Sequence, residues 1–217
     1  MTAPTPLRDG RDPAVSTWHH VEIPGASPLV SLCVLGRDPT GGVTLLVRFP
    51  AGWQRPGPGH YNVAEEVLFL HGSFEMSGER YGADDHAWFP SGYTREASAT
   101  PTGALALAWF GGEQQWFTTI ADKSCEATAG TRRSRWWEQP LEPSPLGVDG
   151  HPLPRGYGAR TWIIPLLSEA VAVTGDMAEV ELIDLVSRRA LHAGPGDQLP
   201  AVGPGPVWLR VFDAPKG

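Results

Sequence analysis

Twenty-six glycines and 22 prolines are spread through the 217 residues of this chain, falling between short apolar runs instead of gathering in one tract. Proline removes a backbone donor and fixes φ, and glycine reverses the chain cheaply, so long helices are not sustained and many short strands with tight turns are expected. Candidate strands are Leu29–Leu35, Val43–Phe49, Glu66–Leu70, Ser73–Met76, Trp88–Phe89, Ala104–Phe110, Thr161–Leu166, Ala170–Val173, Val180–Leu185 and Val207–Phe212. The best helical stretch, Trp116–Ala129, is weakened by the β-branched cluster Thr118-Thr119-Ile120 and has no clear apolar stripe. The expected class is all-β.

A chain of this length buries a core without disulfide or metal staples. Its net charge of −7 is distributed and not run into blocks, which disfavours nucleic acid and anionic membrane surfaces as partners. Cys33 sits in an apolar run and Cys125 in a polar one, so they define neither a disulfide framework nor a zinc knuckle. The N-terminal stretch lacks an apolar leader and no apolar run approaches the roughly 18 residues that span a bilayer. A cytoplasmic protein acting on a small molecule is expected.

Ser134–Pro154, with Trp136-Trp137 and five prolines, reads as a long connection between two β-rich halves. A faint repeat supports that division. Glu66–Gly72 and Glu169–Gly175 share one layout, an acid, four apolar residues, a polar residue and a glycine that turns the strand.

The chemistry-bearing segment runs Gly52, five residues, Pro58, one residue, His60, four residues, Glu65, six residues, Gly72. It resembles the first motif of the cupin superfamily, in which two histidines stand where Pro58 and His60 fall. Asp84, Pro90, Gly92, Arg95 and Ala99 follow the spacing of the second cupin motif, keeping its Pro-x-Gly turn and placing Arg95 where that motif has histidine. The resemblance covers residues 29–111 well and 159–212 weakly. It implies a cupin-type antiparallel β-barrel, jelly-roll-like, in a bicupin with a degenerate second half. The expected organisation is an N-terminal arm at 1–28, a first barrel at 29–133, a linker at 134–158 and the degenerate half at 159–217, the last without a His/Glu cluster.

In the family, both histidines of the first motif, its glutamate and the histidine of the second hold one divalent metal. Proline has no donor atom and guanidinium is a fixed cation, so two of these four places cannot ligate. No cofactor is firmly expected. Iron, manganese, nickel, copper or zinc is conceivable at a rearranged set of His60, Glu65 and His86. A carboxylate left in an apolar barrel without its metal needs another cation, and Arg95 is placed to supply one. Side chains alternate along a strand, so only one of Glu65 and Glu66 faces the interior, and the family spacing selects Glu65.

The candidate catalytic set is therefore His60, Glu65 and Arg95, with Tyr61, His86, Trp88, Tyr93 and Trp109 as candidate substrate-binding residues. Acid–base chemistry of lyase, isomerase, dehydratase or cyclase type fits this set. The alternatives are a metal-dependent cupin oxygenase and a non-catalytic binding cupin. Nine tryptophans and the sheet edges of a degenerate barrel favour a homodimer. The chain has no nucleophile elbow, phosphate loop or dinucleotide fingerprint.

Overall fold

The computed structural model describes residues 8–9, 18–38, 41–119, 134–153 and 159–213. Among these residues the regular structure is β-strand, apart from one 3-10 turn at Trp136–Glu138. No helix among them is long and apolar enough to cross a membrane. By internal contacts the chain divides into two units. The first comprises Thr17–Val34 and Thr40–Arg135, the second Met1–Ser16, Leu35–Pro39 and Trp136–Gly217.

In chain order the strands begin with β1 (Arg8–Asp9), β2 (His19–Val21), β3 (Val30–Arg37), β4 (Val43–Phe49), β5 (Trp53–Arg55), β6 (His60–Tyr61) and β7 (Glu65–Met76). They continue with β8 (Glu79–Gly82), β9 (Asp85–Phe89), β10 (Ser98–Thr100), β11 (Ala104–Phe110), β12 (Trp116–Phe117) and β13 (Ser134–Arg135). The first unit's sheet runs β13-β9-β7-β11-β4-β3-β2, with β5, β8 and β10 attached beside β7, and β6 pairs separately with β12.

The second unit adds β14 (Glu142–Pro143), β15 (Asp149–Pro152), β16 (Ala159–Ile164), β17 (Val171–Ala172), β18 (Met177–Asp184), β19 (Ala190–Ala193), β20 (Gln198–Leu199) and β21 (Val207–Asp213). Its sheet runs β1-β19-β18-β21-β16-β15-β14, and β17 pairs with β20.

The segment β9-β7-β11-β4-β3 is matched strand for strand by β19-β18-β21-β16-β15, and the side pair β5·β10 by β17·β20. Two β-rich halves of related topology are thus present, but not in the register read from the sequence. The strand corresponding to β7 is β18, whereas Glu169 is exposed ahead of β17. Nine residues, 56–64, separate β5 from β7, but only four, 173–176, separate β17 from β18. The second half therefore lacks the loop that carries the histidine of the first.

Several boundaries differ from the sequence expectation. Within the described part of 134–158, residues 134–153, β13 closes onto β9, while β14 and β15 enter the second unit's sheet. Among the described residues of the N-terminal arm, β2 pairs with β3 and β1 with β19. The stretch 116–129 opens as strand at Trp116–Phe117, and residues 120–129 lie outside the described ones. Gly72 bends the continuous strand β7 instead of ending it. It holds φ at 78°, and a Cβ there would meet the Gly103 carbonyl oxygen at 2.1 Å, so glycine is required on both counts.

The second half does carry a His/Glu cluster, against expectation. The Nδ1 of His192 lies 2.9 Å from Glu179 Oε1 and its Nε2 3.6 Å from Glu181, which in turn lies 3.7 Å from the guanidinium of Arg210. Burial alone pushes the His192 pKa down, but the Glu179 hydrogen bond and the charges of Glu181, Glu179 and Asp38 outweigh it and raise the pKa. A raised folded-state pKa stabilises the fold fully below the unfolded value and loses that contribution as pH rises through the folded value. The second unit's melting temperature is therefore expected to fall as pH rises above about 6.5, the ordinary histidine value. His192→Gln should flatten that slope, which differential scanning calorimetry across the range reads directly.

Candidate functional site

Period-two alternation along the first unit's strands decides which side chains face inward. Leu45 and Val47 of β4, Glu65, Val67 and Phe69 of β7, and Ala106, Ala108 and Phe110 of β11 all line one cavity of about 300 Å³. The inward positions of β11 are mostly alanine, and these small side chains on a central strand leave room that larger residues would fill. Phe49, Trp53, Phe74 and Phe89 complete a largely aromatic wall. Phe49 stands 4.9 Å from both Trp53 and Phe74, ring centre to ring centre.

The polar end of this cavity is built from β5, β6, the start of β7 and the turn after β9. Glu65 opens β7, paired across to Phe110 and Phe89. Its carboxylate accepts a hydrogen bond from the Nη2 of Arg95, and the two side chains are only 9% and 7% exposed. Arg95 is fixed by the Pro90-Ser91-Gly92 turn and by a backbone bridge, its N–H donating to the Gly59 carbonyl at 2.8 Å and its carbonyl accepting from Gly59 N–H at 2.9 Å. The guanidinium lies over the Phe89 ring at 4.6 Å and the Tyr61 ring at 5.0 Å.

Of the residues expected at the site, the structure gathers Glu65, Arg95 and Tyr61 around the cavity. His60 is not among the lining residues. It neighbours Tyr61 on a two-residue strand, so when Tyr61 turns inward His60 turns away, stacking on Phe117 at 5.5 Å with its Nδ1 3.0 Å from the Thr119 carbonyl oxygen. His86, Trp88 and Trp109 likewise point to the other face of the sheet, opposite Phe89 and Phe110. There His86 Nε2 meets Glu66 Oε1 at 2.9 Å, both side chains wholly buried, and Trp109 sits across from Glu66 in the ladder. Tyr93 packs against Phe89 without lining the cavity. Glu66 thus faces away from the cavity as expected, yet it is buried instead of meeting solvent.

Among the lining residues that the sequence does not single out are Arg55 and Trp116. Arg55 is 4% exposed, with its guanidinium 3.5 Å above the ring of Trp116 and hydrogen-bonded to the Tyr61 phenol. Burial is the largest influence on it and, with the nearby charge of Arg95, pulls its pKa down. The signal was available, since Trp53 and Arg55 are alternate residues on one strand and an inward Trp53 brings Arg55 with it. Trp116 opens the stretch that the sequence offers as its best helix, but it lies on β12. A Cβ at Gly59 would lie 2.3 Å from the Trp116 ring and 2.5 Å from the Phe117 carbonyl oxygen, so that ring fills the space of a side chain at 59. Gly59→Ala should force Trp116 off Arg55 and cost about 1–3 kcal/mol, seen as a lower midpoint in urea unfolding with altered tryptophan emission.

No family model matches the chain, and no curated protein matches it. Solved structures do. A candidate dioxygenase of Nostoc punctiforme superposes with a TM-score of 0.73 over 94% of this chain and 81% of that one, at 12% identity. The Escherichia coli protein YlbA gives 0.61 over 95% and 90%, at 11% identity. An oxalate decarboxylase gives 0.52 over 97% and 78%, at 13% identity. The chain has the cupin fold.

On this cupin fold the residues at the position where the resembled motifs hold a metal do not suit one. Because Tyr61 and not His60 faces the cavity, the inward places of the His-x-His pattern fall at Gly59 and Tyr61, with three residues between Tyr61 and Glu65. With Arg95 in the fourth place, glycine and guanidinium offer no donor pair, and Glu65 is already engaged by Arg95. Burial first, and then the Glu65 charge, push the Tyr61 phenol above its ordinary pKa, which keeps it a neutral hydroxyl and a poor ligand. Among the described residues no group of three His, Cys, Asp or Glu side chains is placed to hold an ion. The rearranged set of His60, Glu65 and His86 does not converge, since only Glu65 of the three reaches the cavity.

Proposed function

We propose that this cupin is a small-molecule enzyme of acid–base type, working in the first unit's cavity with Glu65 as the proton carrier. The observation that carries this reading is the buried Glu65–Arg95 pair at the polar end of an otherwise apolar cavity. Glu65 is the one buried carboxylate among the described lining residues. A substrate carbonyl or hydroxyl at that end would lie within the field of two guanidinium groups, with the protonated Tyr61 phenol as a donor to developing negative charge. Lyase, isomerase, dehydratase or cyclase chemistry uses such a set. His60 takes no part in it.

A candidate dioxygenase and an oxalate decarboxylase among the similar folds are as compatible with a metal-dependent reaction. The acid–base reading is preferred because of what occupies the metal position here. Enolisable carbonyl compounds, charged and neutral, incubated with the protein in deuterium oxide provide the test. Carbon-bound deuterium should appear faster than in buffer, unaffected by chelator, and Glu65→Gln should slow it by about 10²–10⁴-fold. Exchange no faster than buffer across the series points to a binding protein instead.

We also propose self-association as a dimer, supported by the exposed Trp137 and Leu141 close together in sequence at 43% and 57% exposure. Sedimentation as a monomer at tens of micromolar contradicts it.

A further inference from the structure

We propose that the ligand of this cavity is a monocarboxylate with an aromatic or bulky apolar body, its carboxylate bound by Arg55. This rests on the reading of the cavity as a small-molecule site and adds the class of molecule it takes.

The charge inventory carries the inference. The buried lining groups are two guanidinium cations, Arg55 and Arg95, and a single carboxylate, Glu65. Glu65 is committed to Arg95. Arg55 touches the Trp116 ring and the neutral Tyr61 phenol, and its Nε and Nη1 have no hydrogen-bond acceptor among the described residues. A second carboxylate, Glu22, lines the same cavity, but it is exposed to solvent and its field is screened there.

A buried guanidinium that feels the Glu65 charge but has no acceptor on its Nε and Nη1 is a costly arrangement that a ligand carboxylate repairs, since it accepts two N–H bonds in the plane that arginine presents. Trp116 covers one face of that plane at 3.5 Å and so holds the fork in position. One excess positive charge matches a monoanion, whereas a phosphate dianion would leave a buried negative charge. The aromatic wall of Phe49, Trp53 and Phe74 then receives the apolar body.

Phenylacetate and 3-phenylpropionate, each compared with its neutral amide, are the probes, read by calorimetry and by tryptophan emission from Trp53 and Trp116. The acids should bind the unaltered protein about tenfold or more tighter than the amides. Arg55→Met should erase that preference while amide binding stays within about twofold, and Arg55→Lys should keep part of it. Acid and amide binding the unaltered protein equally, or a preference that survives in Arg55→Met, overturns the carboxylate assignment while leaving the cavity as a small-molecule site. Failure of acids and amides alike overturns the cavity reading, and this inference with it.

Discussion

Arg95→Ala is expected to lower the stability of the first unit by about 3–5 kcal/mol. The Arg95 and Glu65 side chains are 7% and 9% exposed, so removing the cation leaves a carboxylate beside Val67, Phe89 and Phe110 without its hydrogen-bond donor. The attraction within the pair is not what is lost, because in a buried site it is largely offset by the desolvation of both ions. What costs is the loss of the donor that this half-enclosed carboxylate is built to receive, which the Arg55 charge in the same cavity replaces only in part. Arg95→Met combined with Glu65→Leu should accordingly recover most of the stability, and urea unfolding of the three variants separates the two causes. A loss below about 1 kcal/mol in Arg95→Ala would mean that the pair is solvated and exposed in solution.

The second large effect is a gain of metal binding. Tyr61→His with Arg95→His places two imidazoles and the Glu65 carboxylate around one end of the cavity, a set that suits divalent iron, nickel or zinc. Affinity for nickel or zinc, measured by calorimetry, should rise at least about a hundredfold over the unaltered protein. Pro58→His with Arg95→His follows the sequence spacing literally, yet it should gain little. Pro58 is exposed, and alternation puts positions 58 and 60 on the side away from Glu65. Equal metal binding by both pairs would show that the segment before β7 has the other register.

That one-residue slip shows where the sequence was legible. Within long strands it read well, for the choice between Glu65 and Glu66 needed only alternation over β7 and the spacing to Gly72. Arg95 was placed by the Pro90-Ser91-Gly92 turn, whose geometry is local. Ahead of β7 there is only the two-residue β6, too short to carry a period, so nothing in the segment from Pro56 to Ala64 reveals that Tyr61 and not His60 turns inward.

Trp109 and His86 were misread for a different reason. Both faces of β11 are buried throughout, and β9 carries Trp88 beside Phe89, so polarity does not alternate and neither strand declares its inner face. The Glu66–His86 pair then satisfies two polar groups on the covered face, where a sequence reading expects solvent. The repeat was visible as a pair of similar heptads, but strand order matches β7 to β18, and topology is not encoded in any seven residues.

The claim on which the rest depends is that Arg95 holds the place of a metal. The direct measurement is the elemental content of the full-length protein, purified without added metal or chelator, alongside Glu65→Gln prepared in the same way. The account predicts iron, manganese, nickel, copper and zinc each far below one equivalent per chain, with no difference between the two proteins. One equivalent of any of these metals in the unaltered protein, lost in Glu65→Gln, would contradict it.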